Sequence, residues 1–247
     1  MATRLFELEE KAQNALRGKM AGFGGIICCP WLRWYVEKYG DDFLGEKWDG
    51  VLIMQDWGNE SQTLQSAIKD IQSGENDDRT LKNLRESEWQ SAIWGDNPKW
   101  IITNAVWGLR INPNPANPNP AGKSDQAGKS DQAGKCKCGY LGDLIHARAF
   151  PVWANVLAQA NEKNPKLKVV FAGSWAWFDD ESKNDSKLKR FLTNWEEWSV
   201  KKNASLKKSD LGFIKGINES ATAYFCSHPS VWKKQNCWDG PSYFCQL

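Results

Sequence analysis

The chain has 247 residues, 41% of them hydrophobic and 25% charged, with a formal net charge of +2. That length suits one large α/β domain with a sizeable core. The near neutrality excludes a strong overall basic field, so any nucleic-acid contact has to use a local patch. No apolar run reaches the roughly 18 residues of a membrane-spanning helix, so no membrane association is expected.

Met1–Gly22 is charged and amphipathic, unlike the apolar core of a secretory leader. Seven cysteines is an odd count. Together these predict a cytoplasmic, reducing environment with mostly free thiols. Cys28 and Cys29 are adjacent, and Cys136 and Cys138 are one residue apart. Neither is the C-x-x-C spacing of a common zinc or redox site, so structural thiols are expected, with no metal and no cofactor. Most of the 15 tryptophans are expected in the core.

Leu5, Leu8, Ala12, Leu16 and Met20 recur at helical spacing over Thr3–Met20, and glycines at 22, 24 and 25 end that helix. Trp31–Tyr39 reads as a short helix with Pro30 in its first turn. A polar connection, Asp41–Gly50, leads to the apolar run Val51–Met54, which reads as a buried strand. Ser61–Ile71 and Arg79–Trp94 read as helices, separated by a loop at Gly74–Asp78. Trp100–Trp107 is the second buried strand.

Asn112–Pro120 alternates Asn and Pro, and Ala-Gly-Lys-Ser-Asp-Gln then repeats through Lys135. Such a segment cannot bury apolar surface, so 112–138 reads as a low-complexity insertion in a single domain spanning 1–247. Leu141–Asn161 reads as a helix kinked or divided at Pro151. Leu167–Gly173 is the third strand, Ser186–Val200 a helix, Lys201–Lys208 a solvated basic stretch and Thr222–Cys226 the fourth strand. Short apolar strands alternating with helices predict an α/β three-layer sandwich, a central four-stranded parallel sheet flanked by helices.

Ligands of open α/β sheets bind beyond the carboxyl ends of the strands. Polar residues stand at three such ends: Gln55, Asp56 and Asn59 after the first strand, Asn104 within the second and His228 after the fourth. Several chemistries lack their motif. There is no G-x-S-x-G elbow, no P-loop and no G-x-G-x-x-G turn. One His and one Asp are too few for a hydrolytic metal site. What remains is a carboxylate working with hydrogen bonds on a planar polar ligand. The Asn amide both donates and accepts, which suits the edge of a pyrimidine.

Gln55-Asp56-Trp57-Gly58, Thr103-Asn104 and His228-Pro229-Ser230, in this order on successive strand ends, resemble the uracil-DNA glycosylase superfamily. The first is similar to its G-Q-D-P-Y or G-x-N-P-G motif, and the last to its H-P-S. Ile101–Val106 is similar to the I-T-N-V-V run of the thermostable branch. The resemblance spans roughly Val51–Trp232. It implies a monofunctional, monomeric DNA glycosylase of base excision repair that hydrolyses the N-glycosidic bond of a flipped base without metal. Asp56 would position water and stabilise the positive sugar. His228 would hydrogen-bond the leaving base, and Asn104 would read its edge. Gln55, Gly58, Asn59 and Ser230 would complete the pocket. Ser174, Val231, Trp232 and Lys233 would contact DNA as the base is flipped out.

Departures from the pattern shape the expected specificity. Trp57 replaces the usual Pro, and Met54 the usual Gly. Gly58 stands where uracil-specific enzymes place a Tyr, which implies a more open pocket that could admit hypoxanthine or a modified base. The cysteines that would hold the thermostable branch's iron–sulfur cluster are missing from the matching positions. Two other readings stay open: an inactive module of the same fold that binds an aberrant base or abasic DNA, and an α/β enzyme acting on a small nucleoside.

Overall fold

A computed structural model describes residues 5–16, 27–54, 63–74, 78–108, 143–173, 207–210, 220–226, 228–231 and 241, the side chains of 143–148, 207–210, 225 and 231 excepted. Its strands are β1 (Gly50–Met54), β2 (Trp100–Asn104), β3 (Lys168–Ala172), β4 (Lys207–Asp210) and β5 (Thr222–Cys226). Its helices are α1 (Leu5–Leu16), α2 (Pro30–Tyr39), α3 (Leu64–Ser73), α4 (Arg79–Arg85), α5 (Trp89–Trp94) and α6 (Asp143–Lys163). Among the described residues no helix is long and apolar enough to cross a membrane.

The strands form one sheet in the order β2-β1-β3-β5-β4. The pairs β1–β2, β1–β3 and β3–β5 are parallel. These are the four parallel strands that the apolar runs predict. All five residues of β1 and all five of β2 are buried, as expected of strands covered on both faces.

The register shows why both faces are covered. Gly50 pairs with Trp100 and Ile53 with Phe171, so Trp100 and Phe171 stand on opposite faces by the two-residue period of a strand. The Trp100 ring meets Trp89 of α5 edge-on at 4.9 Å, and the Phe171 ring meets Trp153 of α6 at 5.6 Å. One crossover therefore packs on each face, giving helix, sheet and helix layers. Gly50 has no side chain because its strand neighbour occupies the space: a Cβ there would fall inside the Trp100 ring's van der Waals envelope.

β2 forms one edge of the sheet, and α2 covers it. The Tyr35 hydroxyl donates to the Trp100 carbonyl at 2.8 Å, occupying a main-chain acceptor that could otherwise pair with another strand. Tyr35 also stacks on Phe43 and meets Trp48 edge-on. Glu9 of α1 is buried and accepts from Arg33 of α2, with Nε 2.7 Å from Oε1 and a second, closer contact from Nη2 to Oε2. Burial holds the Glu9 carboxyl above its usual range, against the opposing pull of the Arg33 guanidinium.

Some details differ from the sequence reading. Lys207–Asp210 pairs antiparallel with β5 as a fifth, edge strand, where the sequence reading has a solvated basic stretch, Lys201–Lys208, and no strand. Its composition carries no apolar signal, and charge is what edge strands tolerate. The expected helix Arg79–Trp94 is two helices. The Ser87 hydroxyl donates to the Leu84 carbonyl at 2.9 Å, and such local bonds compete with the helical ladder. α6, in contrast, is one helix through Pro151 and is not divided there. The insertion 112–138 lies outside the described residues.

Candidate functional site

Sheet order alone locates the crevice. From β1 the chain crosses to β2 on one side, and from β3 it goes to β5 on the other. The direction reverses between the carboxyl ends of β1 and β3, and doubly wound sheets bind their ligands at such a point. β2 and β5 flank this crevice, and each carries a candidate polar residue at its end. Gln55 and Asp56 directly follow β1, but they lie outside the described residues, as do Gly58, Asn59, Ser174, Trp232, Lys233 and the Val231 side chain. Gly173 ends β3 with φ of 111°, a conformation that favours glycine, and donates its N–H to the Cys226 carbonyl at 2.9 Å.

Asn104 is the last residue of β2 and pairs with Met54 of β1. It is fully buried. Its backbone carbonyl accepts from the Trp107 indole at 2.8 Å, and the Ala105 N–H bonds the Met54 carbonyl at 2.7 Å. The regular strand therefore stops at Asn104, three residues short of the expected Trp107. Its side-chain Oδ1 accepts from the Cys29 thiol at 3.6 Å. Its Nδ2 has no hydrogen-bond partner among the described residues. A buried orphan donor costs about 1–3 kcal/mol, and a ligand at the crevice is one way to satisfy it.

His228 follows β5 by two residues and opens the single helical turn Pro229–Val231. Its Nδ1 lies 2.9 Å from the Ser230 hydroxyl and accepts the Ser230 backbone N–H at 3.3 Å. A nitrogen accepting a backbone N–H carries no proton, so neutral His228 has its proton on Nε2. Burial pushes the imidazole pKa down, opposed by the charge of Asp78. The arrangement makes His228 a neutral donor through Nε2. Ser230, expected at the ligand, turns its hydroxyl to His228.

One residue that the sequence reading did not single out ties this turn to α4, and a second caps that helix. Asn83 of α4 is buried and donates through Nδ2 to the Pro229 carbonyl at 2.7 Å. Asp78 caps α4, its Oδ1 accepting from Thr80 N at 2.6 Å and Leu81 N at 3.1 Å. Asp78 before a helical run is a legible N-cap signal. Asn83 offers no such signal, because its partner lies 146 residues away.

Cys28, Cys29 and Cys226 are buried, and none of them forms a disulfide among the described residues. Burial pushes the Cys28 thiol up to about 12 and the Cys29 thiol up to about 11, so both stay protonated and unreactive at neutral pH. Comparison with family models, with curated proteins and with solved structures gave no match.

Proposed function

We propose that the chain is a monofunctional DNA glycosylase that hydrolyses the N-glycosidic bond of a flipped uracil or other deaminated or modified base. The observation that carries this reading is the pair of polar groups flanking the topological switch point. Asn104 ends β2 with a buried amide donor that has no partner among the described residues, and His228, beyond β5, has its Nδ1 occupied by Ser230. A neutral imidazole donating through Nε2 suits an oxygen on which charge grows as a base departs. An amide suits the edge of a planar heterocycle. The motif resemblance supplies Asp56 as the group that orients water, and its chain position two residues beyond β1 is compatible with that role.

In this reading the bond between the sugar C1′ and the base nitrogen breaks, with its electron pair leaving on the base. Water adds to C1′ and gives up a proton, which neutralises the departed base, leaving the abasic sugar. Asp56 lowers the energy of the cationic sugar, and His228 that of the anionic base. DNA is the partner, and the protein acts as a monomer inside the cell.

A second reading, a binding module of the same fold that holds the base without cleaving, uses the same Asn104 and His228. Asp56→Ala separates the two. Under the glycosylase reading it abolishes base release and leaves affinity for lesion-bearing DNA nearly intact. Wild-type protein that binds the lesion tightly and releases nothing would establish the binding module instead.

A further inference from the structure

The buried Cys29 thiol is unreactive and has no part in the steps above, yet it touches the one side chain that the glycosylase reading assigns to the base edge. Cys29 is fully buried immediately before α2, and its Sγ lies 3.6 Å from Asn104 Oδ1 and 3.7 Å from Thr103 Oγ1. The Thr103 hydroxyl can send its own proton to the Asn104 backbone carbonyl, 3.5 Å away. The single thiol proton is then free for Oδ1, and a protonated thiol always has it to give.

An Asn amide is nearly symmetric in shape, and a half-turn exchanges its donor for its acceptor. Whichever group anchors one end decides what the other end offers. Here the thiol claims the oxygen, and the NH2 is the end left without a partner among the described residues.

We infer that Cys29 is a specificity-positioning residue: its S–H holds Asn104 with the amide NH2 free, so that the site selects a base presenting an acceptor at that edge over one presenting an amino group. This rests on the glycosylase reading of the site and adds the device that sets its selectivity. A carbonyl separates uracil from cytosine and hypoxanthine from adenine, so the orientation of Asn104 distinguishes each deaminated base from its parent. An unpinned amide could turn and accept from the parent's amino group.

The test uses the full chain in three forms: wild type, Cys29→Ser, which keeps a donor, and Cys29→Ala, which removes it. Binding of free uracil, hypoxanthine, cytosine and adenine is read by calorimetry, and base release from oligonucleotides is read in parallel. The expected result is a preference for the carbonyl-bearing base in wild type, retained in Cys29→Ser and reduced about tenfold in Cys29→Ala, the scale of one buried hydrogen bond to a mispaired partner. A merely structural thiol would lower both affinities together and leave their ratio unchanged. An unchanged ratio in folded Cys29→Ala overturns the inference, and continued base release by wild type then leaves the glycosylase reading standing. Wild type that binds no base and releases none overturns both. If the alanine variant does not fold, Cys29→Val, which fills the space without a donor, decides by the same ratio.

Discussion

The Asn83 amide donates to the Pro229 carbonyl at 2.7 Å, joining α4 to the turn that carries His228 across 146 residues of sequence. Both partners are buried, so the bond is shielded from water and fixes where the turn sits. Asn83→Leu leaves that carbonyl without its donor and should cost about 1–3 kcal/mol of stability. If the turn positions His228, the variant also loses turnover beyond its stability loss. Denaturant unfolding and rate measurement well below the midpoint separate the two effects.

The depressed pKa of His228 makes two predictions about pH. Activity that needs neutral His228 should persist through pH 6.5, the ordinary histidine value, and decline only at more acidic pH. Asp78 opposes the depression, so Asp78→Asn, which keeps a capping side chain, should move the acid limb lower still. For stability, the unfolded chain binds the proton more readily than the folded one. The contribution is complete above the unfolded value and is lost as pH falls through the folded value. His228→Gln should therefore flatten the stability profile in that acidic window.

Arg33 partners a carboxylate that burial already disfavours. In Arg33→Met the Glu9 pKa should rise further. A raised folded value contributes stability below the unfolded pKa and loses it as pH rises through the folded pKa. The variant should be near wild type in acid and weaker at neutral pH by about 2 kcal/mol, below the roughly 3–5 kcal/mol for breaking a fully buried pair because Arg33 is partly exposed. Adding Glu9→Gln should recover much of the loss. Unfolding curves at pH 4 and pH 7 for the single and double variants check this.

Gly50 and Trp100 are register partners, and the indole fills the space a Cβ would need. Gly50→Ala should shift β1 or displace the ring, at about 1–3 kcal/mol. A lower urea midpoint with unchanged slope is the expected reading. No change would mean that the ring relocates freely.

The parallel sheet was legible because its strands are continuous apolar runs, Val51–Met54 and Val169–Ala172 among them, bounded by polar or glycine residues. Lys207–Asp210 was not, since an edge strand held by main-chain bonds needs no apolar pattern. Of the site, the positions of Asn104 and His228 at strand ends followed from local pattern. The hydrogen bonds that orient them did not. Cys29 reaches Asn104 from 75 residues away and Asn83 reaches Pro229 from farther still, and no local pattern around either residue marks such a partner. Strand order, which sets the switch point, also depends on long-range pairing that apolar runs do not encode.

The most direct test of the proposed function is base release from single-stranded and duplex oligonucleotides, each carrying one uracil, hypoxanthine, mismatched thymine or bulky 5-modified cytosine. Alkali converts the abasic product into a strand break, and Asp56→Asn runs alongside. The wild-type chain is expected to cleave at one of these bases and the variant to lose that cleavage. Intact strands throughout, or cleavage equal in both proteins, would contradict the proposed function.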